Sequence, residues 1–235
     1  MRLPFLDADH PVFPPPERAL REPNGLLAAG GNLRVATLLD AYRRGIFPWF
    51  EAGQPPLWWS PDPRTVLYPD QVHVSRTMAR LLRRGGYAIT TDQAFAAVIR
   101  GCAAPRAGAT GTWIVPEMIA AYQALHAAGH AHSVECWVDG KLAGGIYGVA
   151  VGTVFCGESM FSARPNASKL ALIHLARGLS AAGFALIDCQ VGNPHLATLG
   201  ATPLPRAAFL ERLREGLRHP PPAWPATLIS AMVAG

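Results

Sequence analysis

The sequence has no long apolar run. Its hydrophobic stretches are short and broken by glycine, below the roughly 20 residues that a bilayer-spanning helix needs. Behind Met1 the chain reads Arg-Leu-Pro-Phe-Leu-Asp and then repeats proline, with no h-region, so the expectation is a cytoplasmic protein without leader or membrane anchor. Cys-x-x-Cys is absent. Cys102, Cys136, Cys156 and Cys189 stand far apart in or beside apolar segments; two disulfides are arithmetically possible, but reduced thiols in a cytosolic protein fit better. Charge is scarce, 16% against 50% hydrophobic in 235 residues. That balance excludes extensive disorder and leaves room for a substantial core in one or two domains. The net charge of +5 is mostly arginine, a moderate excess that permits an anionic partner such as RNA without proving one. There is no P-loop, no G-x-G-x-x-G and no internal repeat. Gly157-Glu158-Ser159-Met160-Phe161 lacks the second glycine of a G-x-S-x-G elbow. His126, His130 and His132 stand close together, yet Gly129 interrupts them and no Cys or acid accompanies them. Capping and strand-start roles are expected there rather than a metal.

What is present centres on residues 144–162. Two apolar β segments, 146–149 and 153–156, are expected around a turn at 150–152, because β-branched and aromatic residues favour strands and glycine allows close backbone approach. Glu158 ends the apolar run beside Phe155, Met160 and Phe161. A greasy pocket with one polar handle is one reading; a buried hairpin with Glu158 at its solvated end is the plainer one.

In chain order, the proline-rich start to residue 23 should be extended. Asn32 is expected to cap a helix to about Arg44, stopped by Gly45. Phe47, Trp49, Phe50, Trp58 and Trp59 then crowd into 13 residues broken by proline, either stapling a small domain to its neighbour or walling a base-stacking pocket. A domain boundary is expected near 61–69, giving domains of 1–63 and 64–235. Ser75 should cap a helix over 76–84 that carries Arg76, Arg80 and Arg84 on one face, with Arg83 adjacent. Like charges four apart repel, which a bound anion would offset; a solvated basic face is the alternative. Later elements are a strand over 87–90, a helix from Asp92 to about Cys102, a helix with Pro116 at its first position, a hairpin about Asp139-Gly140, a helix begun by Asn166 or Ser168 and ended by Gly183, a buried strand over 185–190, and a helix from about 206 to 218. The alternation reads as α+β with a mostly antiparallel sheet. On the buried strand Asp188 and Gln190 share a face, opposite Ile187 and Cys189. A carboxylate there is costly to bury unless paired or used; with Glu158 it makes a candidate acid/base or amine-binding pair.

The motifs together resemble the bacterial leucyl/phenylalanyl-tRNA–protein transferase family over nearly the whole length. They include Glu22-Pro23-Asn24-Gly25-Leu26-Leu27, Gly45-Ile46-Phe47-Pro48-Trp49-Phe50, Trp58-Trp59-Ser60-Pro61-Asp62-Pro63-Arg64, Gly111-Thr112-Trp113-Ile114, Phe155-Cys156-Gly157-Glu158-Ser159-Met160-Phe161 and Ile187-Asp188-Cys189-Gln190. The resemblance implies a small N-terminal domain and an acetyltransferase-like (GNAT-type) catalytic domain. It implies transfer of Leu or Phe, and Met more weakly, from aminoacyl-tRNA to proteins with N-terminal Arg or Lys, marking them for degradation in the N-degron pathway. No cofactor is implied, acetyl-CoA included, because the activated ester drives the reaction, and a monomer is expected. By the same resemblance Asp188 orients Gln190 and Gln190 handles the incoming amine, or the tRNA's terminal ribose hydroxyl carries the proton. Trp113, Phe155, Met160 and Ile187 would form the amino-acid pocket, Glu158 would lie near the bound aminoacyl-adenosine, and Trp49 would stack on adenine. Arg76, Arg80, Arg83 and Arg84 would bind the acceptor stem. An acyl-CoA-dependent enzyme and a non-catalytic RNA-binding module are the competing classes.

Overall fold

The computed structural model describes residues 3–105 and 114–225. The elements in order are β1 (Phe5–Leu6), β2 (Leu26–Gly30), α1 (Val35–Arg43), β3 (Phe47–Pro48), β4 (Leu57–Trp59), β5 (Arg64–Leu67), α2 (Arg76–Arg84), β6 (Ala88–Thr91), α3 (Phe95–Ala103), α4 (Pro116–Ala127), β7 (Ala131–Val138), β8 (Lys141–Val151), β9 (Val154–Ser162), α5 (Ala167–Ala182), β10 (Leu186–Gln190), α6 (Pro194–Ala197), β11 (Thr202–Leu204) and α7 (Arg206–Gly216). A four-stranded sheet runs β1-β2-β4-β3, and a seven-stranded sheet runs β11-β5-β10-β9-β8-β7-β6. In the larger sheet β9 and β10 pair parallel, through Leu186–Val154, Ile187–Phe155 and Asp188–Cys156. The other pairings there are antiparallel. The expected α+β class with a mixed, mostly antiparallel sheet is what the chain forms.

Most boundaries follow local chemistry. The Ser75 side chain accepts from the Met78 amide and starts α2. Pro116 opens α4, where its missing N–H costs nothing. Gly183, at φ +89°, stops α5 in the left-handed region. Other expectations shift. Asn32 does not cap α1; Arg34 holds that position, while Asn32 accepts from the Arg34 amide and the Thr37 hydroxyl. Asp92 does not cap α3 either. It takes φ +57° and accepts from the Ser133 amide at 2.8 Å, with His132 Nδ1 at 2.8 Å from its other oxygen. The two β segments expected at 146–149 and 153–156 fall on two longer strands, β8 and β9, and the turn between them lies at Gly152-Thr153 rather than at 150–152. Glu158 therefore lies within β9, not at the wet end of a hairpin.

Residues of β8 divide between two cores. Tyr147, Val149 and Val151 join one that includes α3, α4, α7 and the smaller sheet. Ala143 and Ile146 join the other, under α2 and α5. Glycine allows close approach: within the sheet a Cβ at Gly148 would collide with the Cys156 carbonyl oxygen of β9, and between layers one at Gly144 would meet the Ala167 methyl of α5 at 2.7 Å. Trp224, near the end of the described chain, packs on His132, Phe155 and Phe184 and donates from Nε1 to the Thr91 hydroxyl at 3.2 Å. No helix of the described residues is long and apolar enough to cross a membrane.

Candidate active site

Beyond the Asp188–Cys156 pair the parallel ladder stops, and β10 shifts register against β5 between Asp188 and Gln190. A cavity of about 580 Å³ opens there, within the size range of small-molecule sites. Met160 from β9, Leu172 from α5 and Ile187 from β10 give it apolar walls. Glu158 and Gln190 form a polar wall, Ser159, Ser168, Asn193 and His195 add further polar lining, and Trp49 reaches it from just beyond β3.

The polar wall is a line of hydrogen bonds. Gln190 Nε2 donates to Glu158 Oε1 at 2.6 Å, and the Tyr122 hydroxyl donates to Glu158 Oε2 at 2.7 Å. The Tyr42 hydroxyl lies 2.5 Å from that of Tyr122. Burial pushes the Glu158 carboxyl up to about 7, against the pull of hydrogen bonds from Tyr122, Tyr42 and Gln190. Burial likewise carries both tyrosines well above the usual phenol value, and the Glu158 charge adds to the rise.

Asp188 is fully buried and does not line the cavity. Arg64 donates to it twice, from Nε to Oδ1 and from Nη2 to Oδ2, each at 2.7 Å. Arg64 Nη1 donates to the Gly45 carbonyl at 3.0 Å, and the guanidinium carbon sits 4.8 Å from the Phe47 ring centre and 4.6 Å from that of Phe209. Burial is the largest single influence on the Arg64 pKa and lowers it, but the charge and hydrogen bonds of Asp188, with smaller contributions from Cys156 and Glu158, together outweigh it and the net direction is upward. Asp188 Oδ1 also accepts from the Gln190 amide at 2.9 Å. Gln190 has φ +62°, a region few residues other than glycine occupy.

The sequence-derived residues are placed as follows. Met160, Ile187, Glu158 and Gln190 meet at the cavity. Trp49, 42% exposed, stands at its rim and tilts against Trp59, with ring centres 5.6 Å apart. Phe155, expected in the pocket, is buried in the core beneath it, 5.4 Å from the Trp224 ring centre. Trp113 lies outside the described residues. Asp188 and Glu158 both accept from Gln190, the one from its backbone amide and the other from its side-chain amide. Arg76, Arg80, Arg83 and Arg84 are exposed along α2, and among the described residues none of the four meets a carboxylate. His126 and His132 are held by the Ala131 carbonyl and Asp92. Sequence reasoning missed the roles of Arg64, Tyr42, Tyr122 and Leu172. The one signal for Arg64 was its place after Trp-Trp-Ser-Pro-Asp-Pro; the tyrosines and the leucine read as ordinary core.

Comparison with known proteins gives this site its setting. Residues 66–214 match the family described as leucyl/phenylalanyl-tRNA protein transferase, and residues 31–62 match the N-terminal domain of the same family. The leucyl/phenylalanyl-tRNA–protein transferase of Chromobacterium violaceum is 57% identical over 220 residues, 94% of each chain. That of Chromohalobacter salexigens is 58% identical over 226 residues, 95% of this chain and 88% of the relative. Among solved structures, a GCN5-related N-acetyltransferase from Kribbella flavida overlaps 69% of this chain and 58% of its own, at 13% identity and a TM-score of 0.37. With relatives this similar, the chain is a transferase enzyme, built on a mixed α+β fold. Within that class it belongs to the leucyl/phenylalanyl-tRNA–protein transferase family.

Proposed function

We propose that this protein moves Leu or Phe, and Met more weakly, from aminoacyl-tRNA to the α-amino group of proteins that begin with Arg or Lys. The product would then be a substrate for degradation by the N-degron route. Such a donor is found in the cytoplasm, where the reading places the protein. The observation that carries the reading is the cavity, with apolar walls at Met160, Leu172 and Ile187, an oriented amide at Gln190 and an indole, Trp49, at its mouth.

The reaction is attack of an amine nitrogen on an ester carbonyl. The C–N bond forms, the bond to the ribose oxygen breaks, and the amine proton leaves to that oxygen. The ester is already activated, so the protein's task is to position two substrates and to favour the neutral amine. The apolar walls take the donor side chain, and Trp49 stacks on the terminal adenine. Asp188 orients Gln190. Because the Gln190 nitrogen is committed to Glu158, its carbonyl oxygen is left to accept from the incoming amine. The arginines of α2 take acceptor-stem phosphates. The division at residue 63 into a small N-terminal domain and a catalytic domain is part of the same reading.

The test is a single-turnover assay with Phe-tRNA and a peptide beginning with Arg. The expected product is the peptide extended by Phe. A chain that accepts acyl groups from coenzyme A instead, or that binds the tRNA without transfer, overturns the proposal.

A further inference from the structure

Asp188 has no oxygen to spare. Oδ1 accepts from Arg64 Nε and from the Gln190 backbone amide, and Oδ2 accepts from Arg64 Nη2. Neither Asp188 nor Arg64 reaches the cavity; they are 0% and 1% exposed. A carboxylate so enclosed touches no substrate, and its effect on the reaction passes through the residue it holds. That residue is Gln190, whose backbone occupies the left-handed region at φ +62°. Non-glycine residues held there are strained, and such strain persists only where the surroundings over-determine it. The Asp188 bond holds the Gln190 backbone amide itself, beside the pairing of Gln190 with Thr65 of β5 and the side-chain bond to Glu158.

The restraint is as rigid as Asp188 itself, and Arg64 fixes Asp188. A guanidinium presents donors in a planar fork that matches both carboxylate oxygens, which an ammonium cannot do. This fork is clamped between the Phe47 and Phe209 rings, and its remaining arm is tied to the Gly45 carbonyl. We infer that Arg64 is a positioning residue of the transfer reaction: its bidentate hold on Asp188 keeps the Gln190 backbone left-handed and so aims the Gln190 amide into the cavity. This inference rests on the reaction proposed above.

Arg64→Lys keeps the charge and loses the fork. Misplacing a reacting group by about 1 Å costs on the order of 10²-fold in rate, so the single-turnover rate should fall about 10- to 100-fold. The KM for aminoacyl-tRNA should stay within about twofold, because donor contacts in the cavity are untouched. Asp188→Asn should show the same pattern, and the double variant should lose no more than the worse single one, as expected for two residues acting through one contact. Phe209→Leu carries the same test in milder form, since it loosens one face of the guanidinium with the ion pair intact; there the rate falls a few-fold with KM unchanged. Crystal structures of wild type and Arg64→Lys give a readout independent of activity, with Gln190 leaving the positive-φ region in the variant. Losses that multiply in the double variant, a rise in KM in place of a fall in rate, or a Gln190 unmoved in Arg64→Lys would each overturn the inference. Lack of transfer by wild type would instead overturn the proposed function, while the Gln190 conformation still decides the role of Arg64.

Discussion

Glu158 and Gln190 approach to 2.6 Å, carboxylate oxygen to amide nitrogen, inside the wall of the cavity. While Glu158 is ionised it only accepts, and this contact then holds the Gln190 nitrogen and leaves its oxygen to the cavity. A protonated Glu158 could donate instead, and the amide would then be free to reverse. The ionisation of Glu158 thus governs whether the cavity meets an acceptor or a donor.

The first prediction concerns pH. Glu158 holds its proton up to about 7 in the folded protein, against an ordinary value of 4.5. The native state therefore binds more protons than the unfolded chain between those values, and this group's contribution to stability falls as pH rises through that window. The full loss is about 3 kcal/mol at most. Glu158→Gln should remove the slope, leaving the variant more stable relative to wild type at pH 8 than at pH 5. Urea unfolding at the two pH values measures it. Transfer by wild type should also rise across pH 6–8 with an inflection that the variant lacks.

Trp49 is a surface residue of the fold but an edge of the site. Trp49→Ala should leave the melting temperature nearly unchanged. Stacking on one base is worth about 1–3 kcal/mol, so the KM for donor should rise roughly 5- to 150-fold. The same rise should appear with a minimal aminoacyl-adenosine donor, because it too carries the adenine. An unchanged KM for the minimal donor would remove Trp49 from adenine binding.

The walls at Met160, Leu172 and Ile187 enclose space without polar groups of their own. Such a cavity separates side chains differing by one methylene by only about 1–3 kcal/mol. Leu and Met donors should both react, while Ile and Val, branched next to the α-carbon, should react poorly. Competition between Leu-tRNA and Val-tRNA in one assay reads this directly, and efficient Val transfer would contradict it.

On α2, Arg80→Ala and Arg84→Ala should raise the KM for full-length aminoacyl-tRNA and leave kcat nearly intact. Each lost phosphate contact should flatten the slope of log K against log salt by about 0.7–0.9. Phosphate contacts carry affinity rather than sequence information, so an aminoacyl-adenosine donor should be unaffected. Equal losses on both donors would assign the arginines to the fold.

Much of the architecture was legible because its signals are local. Ser75, Pro116, Gly183 and the Asp139-Gly140 turn mark element ends by backbone chemistry that needs no distant partner. Alternation along 187–190 put Asp188 and Gln190 on one side, and there they meet Arg64 and Glu158. Asp92 was misread because a helix cap and a loop-to-strand bond use the same side-chain oxygen, and only the fold decides which amide arrives; Asn32 was misread because its oxygen closes a local turn on the Arg34 amide, two residues along the chain. The ladder β1-β2-β4-β3 was invisible, since strands of two to five residues give alternation too few positions to register. Arg64 was passed over as a site residue for another reason. Arginine is seldom fully buried, and nothing near residue 64 in sequence reveals a carboxylate 124 positions away.

The position of Arg64 also bears on recombination between relatives. It falls in the gap between the two matched segments, residues 31–62 and 66–214, where a crossover would most naturally be cut. Its contacts straddle that gap, with Gly45 and Phe47 on one side and Asp188 and Phe209 on the other. A chimaera spliced there inherits the arginine from one parent and half of its socket from the other. Compatibility at these four positions, together with crossings such as Tyr42–Tyr122 and Arg206–Ser60, then bears on whether shuffled halves give a working enzyme.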